Sequence, residues 1–296
     1  MTSRSRNAAV TMMALYVACT LGLVTLAALN GNLGPVSFSL GFAFTAFMVV
    51  GALIVARQPG NLVGWNFSAV GLLAATGVLA QEYSQYTFAT RPGSLPGGLF
   101  AAWLLTWYWF SLLGLILVFP LLLFPTGRLL SPRWRPLAWL TALSLTVITV
   151  LGAVNPTIKL QDINYSVANP VGIEAVGNVE ESPVGAALFV VFGVASVGAV
   201  ASLVIRFRRS RGEERQQLKW FTFAGALLLI LPLSDFIPLA ESLLGDFLFG
   251  VVVALPPVAA GIAILRYRLY DIDLIINRTL VYGALTAVLG RFTSPS

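Results

Sequence analysis

Residues Val184–Ile205 read VGAALFVVFGVASVGAVASLVI, and the residues that follow, Arg206–Lys219, read RFRRSRGEERQQLK. The first stretch carries no charge. A helix needs about 20 mostly apolar residues, at ~1.5 Å each, to cross a hydrocarbon core about 30 Å thick. The second stretch places arginines directly at its end. This order predicts a transmembrane helix that ends at a cytoplasmic surface.

Further stretches have the same character, and together they predict an all-α fold, a polytopic transmembrane helix bundle of about eight spans. The composition agrees, because 57% of the residues are apolar and only 10% are charged, whereas soluble domains carry about 25% charged residues. A lipid-facing surface needs no charged cover. The predicted spans are 8–29, 36–56, 62–81, 99–124, 137–154, 184–205, 220–237 and 247–265.

Charge segregation predicts the orientation. With the N-terminus in the cytoplasm and the spans alternating, nearly all basic residues fall on the inner side, and only Arg91 and Lys159 fall outside, with Arg291 undecided. The outer side is acidic. We therefore expect a multi-pass protein of the cell (plasma) membrane. The inner residues are Arg4, Arg6, Arg57, Arg128, Arg133, Arg135, Arg206, Arg208, Arg209, Arg211, Arg215, Lys219, Arg266, Arg268 and Arg278.

The residue inventory argues against an enzyme. The sequence has no histidine and one cysteine, Cys19, so imidazole metal sites, a histidine general base and an intramolecular disulfide are excluded. We predict no catalytic residue, no cofactor and no metal ligand. The net charge of +6 raises nucleic acid as a partner, but short loops hold the basic residues, so we predict a membrane partner and no nucleic acid.

Aromatic residues cluster at the outer end of the fourth span. Trp103 and Trp107 are spaced to share a helix face, and aromatics at this depth usually form an interfacial belt. The alternative is an outer ligand pocket that these two residues build with Glu82, Tyr83 and Tyr86. The long outer loop 155–183 is either functional or poorly ordered.

The inner loops are more patterned. Arg57–Asn61, RQPGN, predicts a tight turn, and Phe124–Arg128, FPTGR, closes the fourth span. Arg206–Lys219 mixes acids into a basic run, which is consistent with an ordered juxtamembrane helix. Its plainest role is a positive-inside anchor, and polybasic loops also bind anionic lipid headgroups.

The segment 266–278 reads RYRLYDIDLIINR. Leu269, Ile272 and Ile276 fall at helical spacing, and Arg268 and Asp271 are spaced to pair. The pattern predicts an amphipathic element on the cytoplasmic surface. We expect it to couple the bundle to a cytoplasmic output through its charged residues, which are Arg266, Arg268, Asp271, Asp273 and Arg278.

Three strings, Leu121–Pro136, Arg211–Phe221 and Arg266–Ala287, resemble the N-terminal membrane region of bacterial, especially actinobacterial, sensor histidine kinases. The resemblance implies a sensory membrane module that acts as a homodimer or with a separate cytoplasmic signalling partner. It carries over no kinase activity, because the sequence has neither a phosphoacceptor histidine nor a nucleotide-binding segment.

In that family the apolar segment after Arg278 continues as a full span, whereas here we expect residues 279–296 to form an incomplete ninth helix and tail. Three functions therefore stay open. The first is a sensor-like module without its catalytic output domain. The second is a small-solute transporter, for which Pro232 and the pair Pro256 and Pro257 are expected to interrupt spans. The third is a truncated, non-functional remnant.

Overall fold

The structure is a computed structural model that describes residues 3–160, 165–228 and 247–265. These residues contain seven helices or helical stretches that are long and apolar enough to cross a membrane. The protein is therefore a multi-pass, all-α membrane protein, as the sequence predicts.

The elements follow the predicted spans closely. The first three helices are α1 (Ser3–Asn30), α2 (Pro35–Arg57) and α3 (Leu62–Gln85), followed by a π-helical turn (Tyr86–Thr90). The fourth span holds α4 (Gly98–Leu105), α5 (Tyr108–Leu117) and α6 (Phe119–Leu123). Then come α7 (Arg135–Ala153), the strands β1 (Thr157–Leu160) and β2 (Tyr165–Ala168), α8 (Pro183–Arg209), α9 (Gly212–Leu228) and α10 (Phe247–Leu265).

Two predicted features extend beyond the described residues. The predicted span 220–237 begins within α9 and is described only as far as Leu228. The coupling element 266–278 and the segment 279–296 lie wholly outside. The predicted ordered segment 206–219 is helical in two parts: Arg206–Arg209 complete α8, and α9 begins at Gly212. Its position beside the membrane stays a prediction.

Helices α2 and α3 cross very closely. A Cβ atom on Gly51 would lie 2.4 Å from the amide nitrogen of Ser68 and 2.9 Å from the carbonyl oxygen of Gly64. Small residues let transmembrane backbones approach this closely, and the gain is van der Waals contact, since lipid supplies no hydrophobic driving force between helices. The core beside this crossing is apolar, and Phe47 meets Phe67 edge to face at 5.3 Å.

Contacts between helix ends confirm the alternation of the spans. At one end, Asn61 bonds to Pro125 and Arg206 bonds to Phe124. We call this the basic end, because the loops 57–61 and 124–128, with one arginine each, meet the basic segment 206–219 there. At the other end, the acidic end, Asn30 at the close of α1 bonds to Glu82 near the close of α3.

Of the proline interruptions expected from the sequence, the one at Pro232 lies outside the described residues. The expected interruption at Pro256 and Pro257 is wrong, because α10 runs continuously through both. Proline removes one helical hydrogen bond, and transmembrane helices tolerate this when neighbouring groups compensate. The break lies instead in the span Gly98–Leu123, which pauses at Thr106–Trp107 and again at Val118, just before Pro120.

The described part of the loop 155–183 contains regular structure. Strands β1 and β2 pair antiparallel, with Ile158 opposite Val167. Asn169 is 7% exposed, and its amide donates to the carbonyls of Ala153 at 2.9 Å and Asn155 at 2.7 Å. These bonds fasten the hairpin to the end of α7.

Candidate functional site

The side chain of Arg206 is buried at the basic end, although it is charged. It is only 4% exposed. Nη1 donates to the carbonyl of Phe124 at 2.7 Å and to the hydroxyl of Thr126 at 3.3 Å. Nη2 donates to the carbonyls of Arg128 at 2.7 Å and Leu122 at 3.3 Å. One guanidinium therefore holds the whole loop that follows α6.

The chemistry of this contact explains why arginine stands there. The last carbonyls of a helix have no partner within it and carry a partial negative charge. A guanidinium offers five N–H donors in a planar fork, so it can satisfy several such carbonyls at once. Glu214, on α9, adds a favourable charge interaction with Arg206.

Asn61 holds the same loop from the opposite side. It is 5% exposed, and its Nδ2 donates to the carbonyl of Pro125 at 3.1 Å while its Oδ1 accepts from the amide of Val63 at 3.1 Å. Asn61 thus caps the N-terminus of α3. Gly127 has φ +71°, and a Cβ there would lie 2.4 Å from Asn61 Oδ1. Only glycine combines this backbone conformation with this close approach.

An aromatic contact ties α9 to this loop. The ring of Phe124 stacks on the ring of Phe221, with centroids 4.1 Å apart and an interplanar angle of 16°. Phe124 is fully buried and Phe221 is 2% exposed. We call Asn61, Phe124–Arg128, Arg206 and Phe221 the basic-end network. It joins α3, α6, α8 and α9 through one loop.

Two glutamines hold the end of α10. Gln217 Nε2 donates to the carbonyl of Ala263 at 2.8 Å, and Gln58 Nε2 donates to the carbonyl of Ile264 at 3.4 Å. These carbonyls belong to the last described turn, which directly precedes the predicted coupling element. Arg266, Arg268, Asp271, Asp273 and Arg278 themselves lie outside the described residues.

The basic end also presents a charged surface. Its exposed side chains are Arg57, Arg128, Arg133, Arg135, Arg208, Arg209, Arg211, Arg215 and Lys219. Trp220 is 67% exposed beside them, at a position suited to the membrane interface. The binding of anionic lipid headgroups here stays a prediction.

At the acidic end, Glu82 is 7% exposed. Its Oε2 accepts from Asn30 Nδ2 at 2.8 Å and from Asn32 Nδ2 at 3.1 Å, and its Oε1 accepts from Asn32 Nδ2 at 3.3 Å. Asn32 Nδ2 also donates to Gln85 Oε1 at 2.8 Å, and the Thr90 hydroxyl donates to Asn30 Oδ1 at 2.6 Å. We call these five residues the Glu82 cluster.

The π-helical turn brings this cluster together. It spans Tyr86–Thr90 and directly extends α3, so the wider turn carries Thr90 across to the end of α1. Single π-turns are rare and occur often at functional sites. Tyr86 starts the turn and is 8% exposed, and the Tyr83 hydroxyl donates to the carbonyl of Pro96.

Trp103 and Trp107 lie on the side of the bundle that faces α7. Their rings are 5.5 Å apart, and Trp103 Nε1 donates to the carbonyl of Ala153 at 2.8 Å. Within the part of the chain that the structure describes, Trp107 Nε1 is buried without a hydrogen-bond partner. Among the described residues, no hydrogen bond or ring contact joins these tryptophans to Glu82. The predicted shared pocket stays a prediction.

An apolar crevice lies elsewhere, between α5, α7 and α8, and is lined by Phe110, Leu145, Ile148, Phe189 and Phe192 among others. Its walls are almost wholly apolar. Over the described ranges, no three His, Cys, Asp or Glu residues come together as a metal site.

Sequence reasoning missed the basic-end network. Arg206 was grouped with the positive-inside anchor, although it is the basic residue nearest the apolar run and so the one best placed to be buried. Gln58 and Gln217 gave no signal of their own.

Comparison with protein-family models, with curated proteins and with solved structures finds no match to this chain.

Proposed function

We propose that this chain is a membrane signal-input module, similar to the membrane region of sensor histidine kinases, with its N-terminus and basic end in the cytoplasm. The observation that carries the proposal is the meeting of two of the three resembling strings at the basic end. Phe124, from the first string, stacks on Phe221, from the second. Gln217, also in the second, holds α10 just before the third begins.

The same contacts supply a route for a signal. A change in the packing of α3 or α8 would displace the loop 124–128, because Asn61 and Arg206 both hold it. Phe221 would follow the loop, and Gln217 lies on the same helix, α9. The segment 266–278 would then pass the displacement to a cytoplasmic partner or to a second copy of the chain.

The orientation is tested first. In a Cys19→Ser background, Arg211→Cys places one thiol at an exposed site of the basic end, and Gly93→Cys places one at the acidic end. A membrane-impermeant maleimide applied to intact cells should label Gly93→Cys alone. Labelling of Arg211→Cys from outside would overturn the orientation.

The signalling role is tested by affinity purification of the full chain from its native membranes, followed by incubation with ATP. We expect a cytoplasmic protein that incorporates phosphate to co-purify. It should be lost when Arg266, Arg268 and Arg278 are all replaced by Gln and retained with the control Arg91→Gln. Absence of a phosphorylated partner, or its retention in the triple variant, would contradict the proposal.

The transporter alternative is favoured by the interrupted span Gly98–Leu123, since broken helices form substrate sites in many transporters. However, the described residues place no charged side chain at the break. Uptake by proteoliposomes decides between the two functions. Saturable uptake that a substitution at Trp107 alters would favour transport.

A further inference from the structure

Glu82 is a buried carboxylate whose hydrogen-bond donors are neutral side-chain amides. Asn30 and Asn32 donate amide hydrogens to it, whereas the salt bridge found in the described residues joins Lys159 to Glu181. An ionised carboxylate away from water is unfavourable unless its charge is compensated. Neutral amides therefore satisfy the hydrogen bonds of the Glu82 carboxylate, and within the described ranges no Lys or Arg forms a salt bridge with it.

The amides that surround the carboxylate can also present oxygen. The nitrogen and oxygen of a side-chain amide exchange places by rotation of the terminal group. After rotation, Asn30 and Asn32 would aim carbonyl oxygens at Glu82 from the positions that their nitrogens now hold. Those positions are 2.8 Å and 3.1 Å from Glu82 Oε2, and Asn30 Nδ2 is 2.9 Å from the main-chain carbonyl of Glu82.

These spacings are ordinary for hydrogen bonds, and they would also suit the oxygen ligands of one coordination shell. Oxygen ligands lie about 2.3–2.6 Å from Ca²⁺, so adjacent ligand oxygens lie roughly 3 Å apart. We propose that the Glu82 cluster binds a hard cation of the Ca²⁺ type, held by the Glu82 carboxylate, the rotated carbonyls of Asn30 and Asn32, and the Glu82 main-chain oxygen. The proposal stands independently of the signalling role.

The neighbouring groups can accept the rotation. Thr90 donates to Asn30 Oδ1 now, and a hydroxyl can accept a hydrogen bond instead when the amide turns. Asn32 and Gln85 already exchange bonds in both directions, at 2.8 Å and 3.5 Å, so a joint rotation preserves their pairing. Gly31 and Thr90 are exposed, which opens the cluster to water.

The test is the thermal unfolding of the full chain in detergent, followed by tryptophan fluorescence, after removal of divalent ions. CaCl₂, MgCl₂ and NaCl are each titrated at constant ionic strength with choline chloride. We expect Ca²⁺ to raise the unfolding midpoint saturably, because a ligand that binds only the folded state stabilises it. Mg²⁺ should do less, because it requires a tighter octahedral shell.

Glu82→Gln should weaken the apparent Ca²⁺ affinity at least about tenfold, because affinity follows ligand charge. Glu174→Gln, at an exposed carboxylate of the same end, is the matched control and should leave the affinity unchanged. Asn32→Asp adds a charged ligand and should raise the apparent Ca²⁺ affinity. A purely structural role of Asn32 would not produce this gain in affinity. This gain keeps the test decisive if Glu82→Gln fails to fold.

Two results would overturn the proposal. One is that Ca²⁺ fails to raise the unfolding midpoint of the wild-type chain saturably, whether no ion raises it or only Na⁺ does. The other is an equal Ca²⁺ response in wild type and Glu82→Gln. Neither result bears on the partner purification, so the signalling proposal would be unaffected.

Discussion

Replacing Arg206 with methionine should strongly destabilise the bundle. Methionine keeps an unbranched apolar stem of similar reach and removes every donor. The carbonyls of Leu122, Phe124 and Arg128 and the hydroxyl of Thr126 then lose a partner, and Leu122 and Phe124 are both fully buried. Most of the groups that accept hydrogen bonds from Arg206 are backbone carbonyls, so a second substitution cannot remove these unsatisfied acceptors.

The magnitude follows from the two short bonds, 2.7 Å each to Phe124 and Arg128. A hydrogen bond to a charged group contributes about 1.5–3 kcal/mol net. The two bonds at 3.3 Å add little. The two short bonds together contribute about 3–6 kcal/mol, and we expect Arg206→Met to lose an amount near the lower end of that range, because burial of the guanidinium itself costs desolvation energy.

The assay is unfolding of the purified chain in mixed detergent and SDS micelles, followed by tryptophan fluorescence. Arg206→Lys should fall between wild type and Arg206→Met, because one ammonium group is a point charge and cannot span three carbonyls as a planar fork does. Arg208→Met, at an exposed site on the same helix, is the control and should change the free energy of unfolding by less than about 0.5 kcal/mol. An equal, small loss in Arg206→Met and Arg208→Met would refute the reasoning.

Two further substitutions test smaller features in the same assay. Gly127→Ala should lose more stability than Gly93→Ala: both glycines have positive φ, at +71° and +74°, but only Gly127 has neighbouring atoms in the way of a Cβ. The left-handed conformation alone costs about 1–2 kcal/mol. Equal losses in Gly127→Ala and Gly93→Ala would therefore show that the close approach to Asn61 does not matter for stability. Lys159→Ala should lose less than about 1 kcal/mol, because Lys159 and Glu181 are 56% and 71% exposed; a larger loss would show that this bridge holds the hairpin.

Much of the fold follows from sequence because hydrocarbon imposes a simple rule on each span. Uncharged length decides where a helix crosses, and the predicted span 137–154 matches α7, Arg135–Ala153, almost to the residue. The breaks in the span Gly98–Leu123 are different. They depend on packing against other helices, such as Thr106 against Gly152, and no local hydrophobic pattern encodes such a contact.

The candidate sites were only partly predictable for the same reason. Glu82 is a candidate from sequence only as a member of an outer pocket with aromatic residues, whereas its partners Asn30 and Asn32 belong to a different helix end. Arg206 looked like its exposed neighbours, since a positive-inside pattern does not distinguish a buried arginine from a solvated one. Burial was decided by the loop 124–128, which is distant in the sequence.

Helix α3 connects the two candidate sites. Asn61 caps its first turn at the basic end, and Glu82 and Gln85 lie in its last turn at the acidic end. Helices are stiff over this length, so a shift or rotation of α3 at the Glu82 cluster would reach the loop 124–128 through Asn61. A bound cation can drive such a shift only if it prefers one position of α3 over another. The proposed rotation of Asn30 and Asn32 would supply that preference, because it would replace the bonds that Asn30, at the end of α1, and Asn32, just beyond it, make to α3 by bonds to the ion.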